Sequence, residues 1–338
     1  MSHLNKTITL PHLDGVELQD WDFVPNAIAQ GMELAGKRVD ANESMIFALQ
    51  LQHLRAQVLE RQYPTLKARN LIPQQAESPA GAEEFAYRVA DQVGVFDLIT
   101  NYADDLPVTD VKGEKKVVDI QTFGGSVQYS IDEIERANMA GLPLTARKMN
   151  ANRDIAERKF EKIAWVGDEK AGIHGMTTHP NITKETAATK AGGGTTWANN
   201  ATAQEVYNDM VRPIIQQTED TNEVERPDTI ILSLSDIEYA NSVFFDDASG
   251  QSALARFKQN YPDVTVESSA YMKGIGAGDT NVILAFRNDA NKVAMETPVP
   301  YNVLPPQQRN LATIVNARMR TAGVVAYFPL SITVIEGL

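Results

Sequence analysis

Residues 144–166 read LTARKMNANRDIAERKFEKIAWV and form the longest uninterrupted helical pattern in the chain. Pro143 suits the first helical position, where its fixed φ and missing N–H cost nothing, and Gly167 suits a left-handed C-terminal stop. At about 1.5 Å per residue the helix would be about 35 Å long. One face is apolar, so we expect it to lie on a sheet with Ile155, Phe160 and Ile163 in the core. The full stripe is Leu144, Ala151, Ile155, Ala156, Phe160, Ile163 and Ala164.

The composition is that of an ordinary soluble globular protein, with 338 residues, 43% hydrophobic and 22% charged. A net charge of −13 makes the chain a poor candidate for gripping nucleic acid, although a local basic patch remains open. Because there is no cysteine, disulfide and thiolate chemistry are excluded. No apolar run approaches the ~18 residues of a membrane span, and the N-terminus is no signal peptide. We therefore expect a cytoplasmic product without a membrane partner.

The segment before the helix predicts an arm followed by a projecting β-hairpin. Residues 1–82 contain scattered prolines and one strong helical pattern, at about residues 43–62. Phe85, Tyr87 and Val89 then alternate with smaller or polar residues, and a second β-rich run spans residues 115–131. We place the turn near Lys112-Gly113-Glu114 and a bend of the returning strand at Gly124-Gly125. Such a hairpin has no domain of its own in which to bury its apolar side chains, so it needs a neighbour.

The segment after the helix predicts a mixed α/β unit and a β-rich tail. Glycine-rich residues 185–200 are expected to form a mobile surface loop. Thr202 and Glu205 fit a capping box at the start of a helix that Pro213 must kink or shorten. A strand, a helix capped by Ser235 with Glu238, a second helix and two strands follow, and the tail from about residue 299 is β. The predicted fold class is α+β.

No motif predicts catalytic, cofactor-binding or metal-ligating residues. The glycine-rich GGGTT at Gly192 lacks the lysine of a phosphate-binding loop. His174 and His179 lie five residues apart in a loop, a spacing that does not put both on one helical face. An active site built from distant residues remains open, but we predict neither a cofactor nor an enzymatic activity.

The order of elements resembles the major capsid proteins of tailed bacteriophages, whose Hong Kong 97-type fold encapsulins share. The resemblance extends to the sequence of EEFAYRVADQVGVFDLITNYADDLPVTDVKG, of VQYSIDEIERANMAGLPLTARKMNANRDIAERKFEKIAWVGD, and of GIHGMTTHPNI, RPDTIILSLSDI and RTAGVVAYFPLSITVIEGL. It covers roughly residues 82–338 and implies a Hong Kong 97-like capsid fold.

By this resemblance each segment acquires a role. Residues 1–82 would be the N-terminal arm, and residues 83–128 would be the extended loop. The peripheral domain would consist of residues 129–216 and 299–338 and contain the spine helix, residues 144–166. Residues 217–298 would be the axial domain. Some members crosslink subunits through a lysine–asparagine bond. The resemblance does not extend to that bond, because it aligns none of Lys112, Lys115 and Lys116 with a crosslinking lysine. Our candidates for contacts between subunits are Phe85, Tyr87, Val89, Lys112, Lys115, Lys116, Arg147 and Arg158.

The resemblance implies a structural protein of the virion, assembled in the host cytoplasm. Copies of the chain would form pentamers and hexamers of an icosahedral head that encloses double-stranded DNA without reading its sequence. It also leaves room for scaffold, portal and cement proteins. Two alternatives stay open at this point, namely an encapsulin-type compartment that encloses cargo enzymes and an α/β enzyme with a pocket of perturbed ionisable groups.

Overall fold

The computed structural model describes residues 63–95, 97–98, 108–139, 144–198, 201–247 and 250–338. The helix expected at 43–62, Pro143 and most of the N-terminal arm lie outside these residues. The α-helices of the described chain are α1 (Ala68–Leu71), α2 (Ile131–Met139), α3 (Leu144–Trp165), α4 (Ala203–Asp220), α5 (Leu234–Ser242) and α6 (Ala253–Asn260). None of them is long and apolar enough to cross a bilayer.

The strands of the described residues join distant parts of the chain. In chain order they are β1 (Gln74–Gln75), β2 (Glu84–Val93), β3 (Asp110–Asp119), β4 (Gln121–Ser130), β5 (Gly167–Asp168), β6 (Ile173–His174), β7 (Thr183–Thr186), β8 (Thr229–Leu232), β9 (Thr265–Ser268), β10 (Val282–Phe286), β11 (Val293–Glu296), β12 (Val299–Val303), β13 (Gln307–Arg309), β14 (Ala312–Thr321), β15 (Gly323–Ala326) and β16 (Ile332–Glu336). A mixed five-stranded sheet has the order β7-β16-β10-β8-β9, and a mixed three-stranded sheet has the order β1-β11-β15. An antiparallel sheet has the order β12-β14-β13 with β4 along β14, and β2 pairs with β3 and β5 with β6.

The core lies on both faces of the five-stranded sheet. Val282, Leu284 and Phe286 of β10 belong to the cluster that contains the end of α3, whereas Ile283 and Ala285 belong to the cluster under α4 and α6. All five are buried. A strand covered on both faces is apolar throughout, which is why VILAF shows no polar alternation.

The five-stranded sheet contains strands from segments that the sequence assigned to different domains. Strand β7 and helix α4 come from the segment expected in the peripheral domain, and β16 comes from the C-terminal segment. Strand β16 lies between β7 and β10, with Ile335 opposite Ile283. Cuts after residues 216 and 298 would therefore separate strands and helices that share one core.

Helix α3 has the predicted extent but is buried over only its last turns. Gly167 follows it with φ 83°, and a Cβ there would lie 2.4 Å from the carbonyl oxygen of Ile173. Phe160 and Ile163 are buried as predicted. The prediction for Ile155 is wrong, because this residue is 59% exposed. Phe160 and Ile163 belong to the large buried cluster, whereas Ile155 lines an open cavity between α3, β4, β12 and β14. A shared helical stripe therefore does not give Ile155 the partners of Ile163.

The hairpin forms, but its turn and bend differ from the prediction. Strands β2 and β3 pair over ten residues each, from Glu84 opposite Asp119 to Val93 opposite Asp110. Lys112-Gly113-Glu114 lies inside β3, so the predicted turn position is wrong. Gly124-Gly125 is likewise inside β4. The chain instead leaves the β2–β3 hairpin and enters the sheet of β14 at Ile120, a buried residue that follows β3 and precedes β4 in the sequence.

Helix caps show where local sequence signals are sufficient. The Thr202–Glu205 capping box is present at α4, which continues through Pro213. Ser130 accepts the N–H of Glu133 at 3.1 Å. The predicted Ser235 cap is wrong, since Ser233 caps α5 by accepting the Asp236 N–H at 3.2 Å.

Candidate functional site

His174 and His179, two of the five histidines of the chain, pack against each other. The His174 and His179 rings lie 5.9 Å apart in an edge-to-face contact, and burial lowers the pKa of His179. Within the described ranges, no group of three or more His, Cys, Asp or Glu side chains is arranged to hold a metal ion.

The base of the hairpin packs on its own chain. Phe85 belongs to a small buried cluster with Val325, and the Tyr87 ring meets the Tyr327 ring edge-on at 5.0 Å. The Tyr87 hydroxyl donates to the carbonyl oxygen of Ala326 at 3.3 Å. Burial, helped by the Glu77 and Glu296 carboxylates, raises the pKa of Tyr327 to about 12. The expectation that Phe85 and Tyr87 have no internal partner is wrong, because strand β15 lies beneath the hairpin base.

The far part of the hairpin exposes aliphatic side chains. We call the residues 91–95, 97–98 and 108–111 the hairpin end. Five of its aliphatic residues are between 43% and 90% exposed, namely Val93, Val95, Leu98, Val108 and Val111. Val93 and Val111 lie on opposite faces of the hairpin, because Val93 is opposite Asp110 and Val111 is opposite Gln92. Exposed aliphatic side chains on both faces make this segment a candidate interaction surface. The hairpin end also carries Asp91, Asp97 and Asp110 and no lysine or arginine.

The remaining candidate contact residues are spread over three elements, with Val89 on β2, the lysines on β3 and the arginines on α3. Lys112 and Lys115 are exposed on β3, and Lys116 and Val89 are half-buried. On α3, Arg147 is half-buried, and the Arg158 guanidinium lies 3.7 Å from the centre of the Tyr63 ring. The structure therefore does not bring these residues together at one site.

A concave apolar surface lies beside the exposed part of α3, and we call it the spine groove. Its first cavity has a volume of about 300 Å³ between α3, β4, β12 and β14, and includes Ile155. A second depression adjoins it at Tyr301, whose hydroxyl donates to Asn152 Oδ1 at 3.1 Å. The first is lined chiefly by Phe123, Asn152, Ile155, Lys159, Arg318 and Met319, and the second by Arg69, Arg153, Glu157, Pro300, Tyr301 and Val303.

Buried carboxylates hold the segment that precedes the hairpin. Glu161 is 2% exposed and accepts the N–H groups of Lys67 at 3.0 Å and Ala68 at 2.9 Å, and the Trp165 indole N–H at 2.7 Å. Glu296 accepts the Ser78 N–H at 2.8 Å. Lys67 and Ala68 lie more than 90 residues from Glu161, so no local pattern indicated them as its partners, whereas Trp165 is one turn further along α3.

The glycine-rich loop is anchored rather than loose at both sides of its glycines. Lys190 forms a buried ion pair with Asp209 of α4 and donates to the Ala188 carbonyl oxygen at 2.9 Å. The Trp197 indole N–H donates to Asp209 Oδ2 at 2.7 Å, and Trp197 is 2% exposed. The prediction of a mobile surface loop is wrong for these residues, because a buried tryptophan and a buried ion pair fix them to α4.

A family model described as "Major capsid protein" matches residues 94–338. The chain belongs to the major capsid protein family. The match begins within the hairpin end, at residue 94, and covers β3, α3, the five-stranded sheet and the C-terminal strands. Membership of a capsid protein family therefore identifies the chain as a structural component of a phage particle.

Solved capsid structures share the fold of this capsid protein. The capsid of Myoviridae phage XM1 aligns with a TM-score of 0.76 at 18% identity, covering 90% of this chain and all of that one. Gordonia phage Cozz aligns at 0.63 and 10% identity over 89% and 96% of the two chains. The capsid of an empty GTA particle aligns at 0.58 and 12% identity over 89% and 99%. A search of curated protein sequences gave no match.

Proposed function

We propose that this capsid protein assembles into pentamers and hexamers that close into an icosahedral head around double-stranded DNA. The observation that carries the proposal is the hairpin end, which exposes five aliphatic residues at the far part of a two-stranded hairpin, with Leu98 90% and Val108 84% exposed. Self-association covers such a surface without any other protein. The solved capsid with which the chain shares its fold over 90% of its length supports the same conclusion.

The parts of the chain then take the following roles. Residues 1–82 are the arm, 83–128 the extended loop over a neighbouring subunit, and 144–166 the spine helix of the peripheral domain. The five-stranded sheet with α4, α5 and α6 is the core of the axial domain. Because β7, α4 and β16 share that core, we propose that the axial domain includes them in addition to 217–298.

The packaged DNA needs no specific binding site. A chain of net charge −13 gains little from phosphate contacts, so the head would contain the genome without gripping it. Scaffold, portal and cement proteins are further partners in this proposal, with assembly in the host cytoplasm and a final location in the virion.

The proposal is tested by purifying the full chain and imaging it by negative-stain electron microscopy across protein concentration and ionic strength. Because copies of an acidic chain repel one another, moderate salt should promote particles over low salt. Shells, tubes or rings are expected. A monomer under every condition, including co-expression with a phage scaffold and portal, would refute the proposal.

A deletion in the hairpin tests its role in assembly separately from its role in folding. Replacing residues 93–114 by a short Gly/Ser link removes the hairpin end but keeps Phe85 and Tyr87 on β15. We expect particles to disappear while the melting temperature of the subunit changes little. A fall in melting temperature as large as that of a core deletion would contradict this role.

A further inference from the structure

The base of the β2–β3 hairpin has two faces that differ in exposure. One face packs on the body of the chain and contains Phe85 and Tyr87, whereas the residues that alternate with them are exposed. Because successive side chains of a strand point to opposite sides, the exposed residues share one surface, which we call the outer face of the hairpin. The outer face consists of Glu84, Ala86, Arg88 and Ala90 of β2 and Gly113, Lys115, Val117 and Asp119 of β3.

Like charges stand directly opposite each other on the outer face. In the register of the hairpin, Arg88 is opposite Lys115 and Glu84 is opposite Asp119. Side chains at such positions have Cβ atoms about 4.5–5.5 Å apart, so each pair repels itself and disfavours the hairpin. None of the four forms an ion pair with a described residue. A partner with the opposite charges would compensate both pairs.

The outer face is complementary to itself. The basic pair lies four residues from the acidic pair on each strand, which is about 13 Å at 3.3 Å per residue. Midway between the two pairs, Ala86 is opposite Val117, which is 45% exposed. A two-fold axis that crosses both strands at this apolar pair places the basic pair of one copy on the acidic pair of the other, and the reverse.

We propose that the outer face of the hairpin binds the same face of a second copy of this chain about this two-fold axis. Glu84 of each copy then faces Arg88 of the other, and Asp119 faces Lys115, as an isologous contact requires. Exposed ion pairs are individually weak, so the contact adds to others between copies and does not hold two copies together alone. The inference goes beyond the proposed function, because a contact between two hairpins requires no closed shell.

Thiol crosslinking tests the geometry, because the natural chain contains no cysteine to interfere. Position 86 lies on the proposed axis, so two copies of the full-length Ala86→Cys protein bring their thiols within reach of a short bismaleimide. Ala90→Cys is the matched control, since it is exposed on the same face but its thiols would lie about 26 Å apart along the strands. Both proteins are crosslinked at high concentration, in the particle fraction and in the unassembled fraction. A denaturing gel should show several-fold more dimer for Ala86→Cys.

Charge reversal separates the contact from the stability of the hairpin. Arg88→Glu and Glu84→Lys, each made in the Ala86→Cys protein, turn a repelling pair within the hairpin into an attracting one, so the melting temperature should not fall. Each change also sets like charges against each other across the axis, so the yield of dimer should fall several-fold. With both changes in one chain the charges across the axis are opposite again, and the dimer should return.

The outcomes decide the inference independently of the shell function. Equal yields of dimer from Ala86→Cys and Ala90→Cys, or no recovery in the doubly changed chain, would overturn the two-fold contact and leave the shell function standing. Crosslinks from position 86 to a different protein of the particle would show that another partner covers the outer face, which also contradicts the contact. If the expected pattern of dimers is found although no particles form, the contact stands and the proposed function fails.

Discussion

Two isoleucines eight positions apart on α3 should respond very differently to truncation. Ile163 is fully buried, and Ile155 is 59% exposed. Truncating a buried isoleucine to alanine costs about 2–5 kcal/mol, which combines lost burial with the cavity left behind. Ile155 keeps only about two-fifths of its surface buried, which corresponds to about 1 kcal/mol or less and leaves no closed cavity. The better helix propensity of alanine offsets part of that loss.

Urea unfolding of Ile163→Ala and Ile155→Ala under conditions that keep the chain unassembled measures this contrast. With a slope of about 3 kcal/mol per M, a loss of about 3 kcal/mol lowers the midpoint by about 1 M. We expect such a shift for Ile163→Ala and almost none for Ile155→Ala. Equal midpoint shifts, or a larger one for Ile155→Ala, would refute the conclusion that only the end of α3 belongs to the core.

Three other changes test the buried polar groups. Glu161→Gln removes one of two acceptor oxygens, so the free energy of unfolding should fall by about 1–3 kcal/mol, and hydrogen exchange should quicken at residues 67–72. Lys190→Met leaves Asp209 as an unpaired buried charge and should cost about 3–5 kcal/mol in thermal or urea unfolding, whereas adding Asp209→Leu should recover most of it. The pKa of Tyr327 is raised from 10.0 to about 12 on folding, so its contribution to stability is complete below pH 10 and is lost as the pH rises towards 12. Tyr327→Phe should therefore flatten the alkaline part of the stability–pH curve, and an unchanged slope would contradict this assignment.

Local sequence patterns predicted the helices and strands better than they predicted which of their side chains are buried. The extent of α3, the pairing of the hairpin arms and the Thr202–Glu205 cap all depend on residues close in sequence, and all three are present. The turn at Lys112-Gly113-Glu114 was misplaced because a glycine between charged residues signals a turn only when the strand does not continue through it.

The candidate site was likewise predicted only in part from local patterns. The apolar residues that the sequence named as needing a neighbour were Phe85, Tyr87 and Val89, and none of them lies in the hairpin end. Phe85 and Tyr87 pack instead with Val325 and Tyr327, more than 200 positions away. The spine groove had no sequence signal, since its lining combines α3 with β4, β12 and β14.

By itself the sequence determined a mixed helix and sheet chain with no cysteine, a net charge of −13, a long amphipathic helix and a projecting hairpin. Helical period fixes which residues share a face, because that depends on backbone geometry alone. The tertiary structure decided which part of each face is covered. Ile155 and Ile163 share one pattern, but the sheet beneath Ile163 contains β16, more than 160 residues further on. Burial is a property of that distant partner, and no local period encodes it.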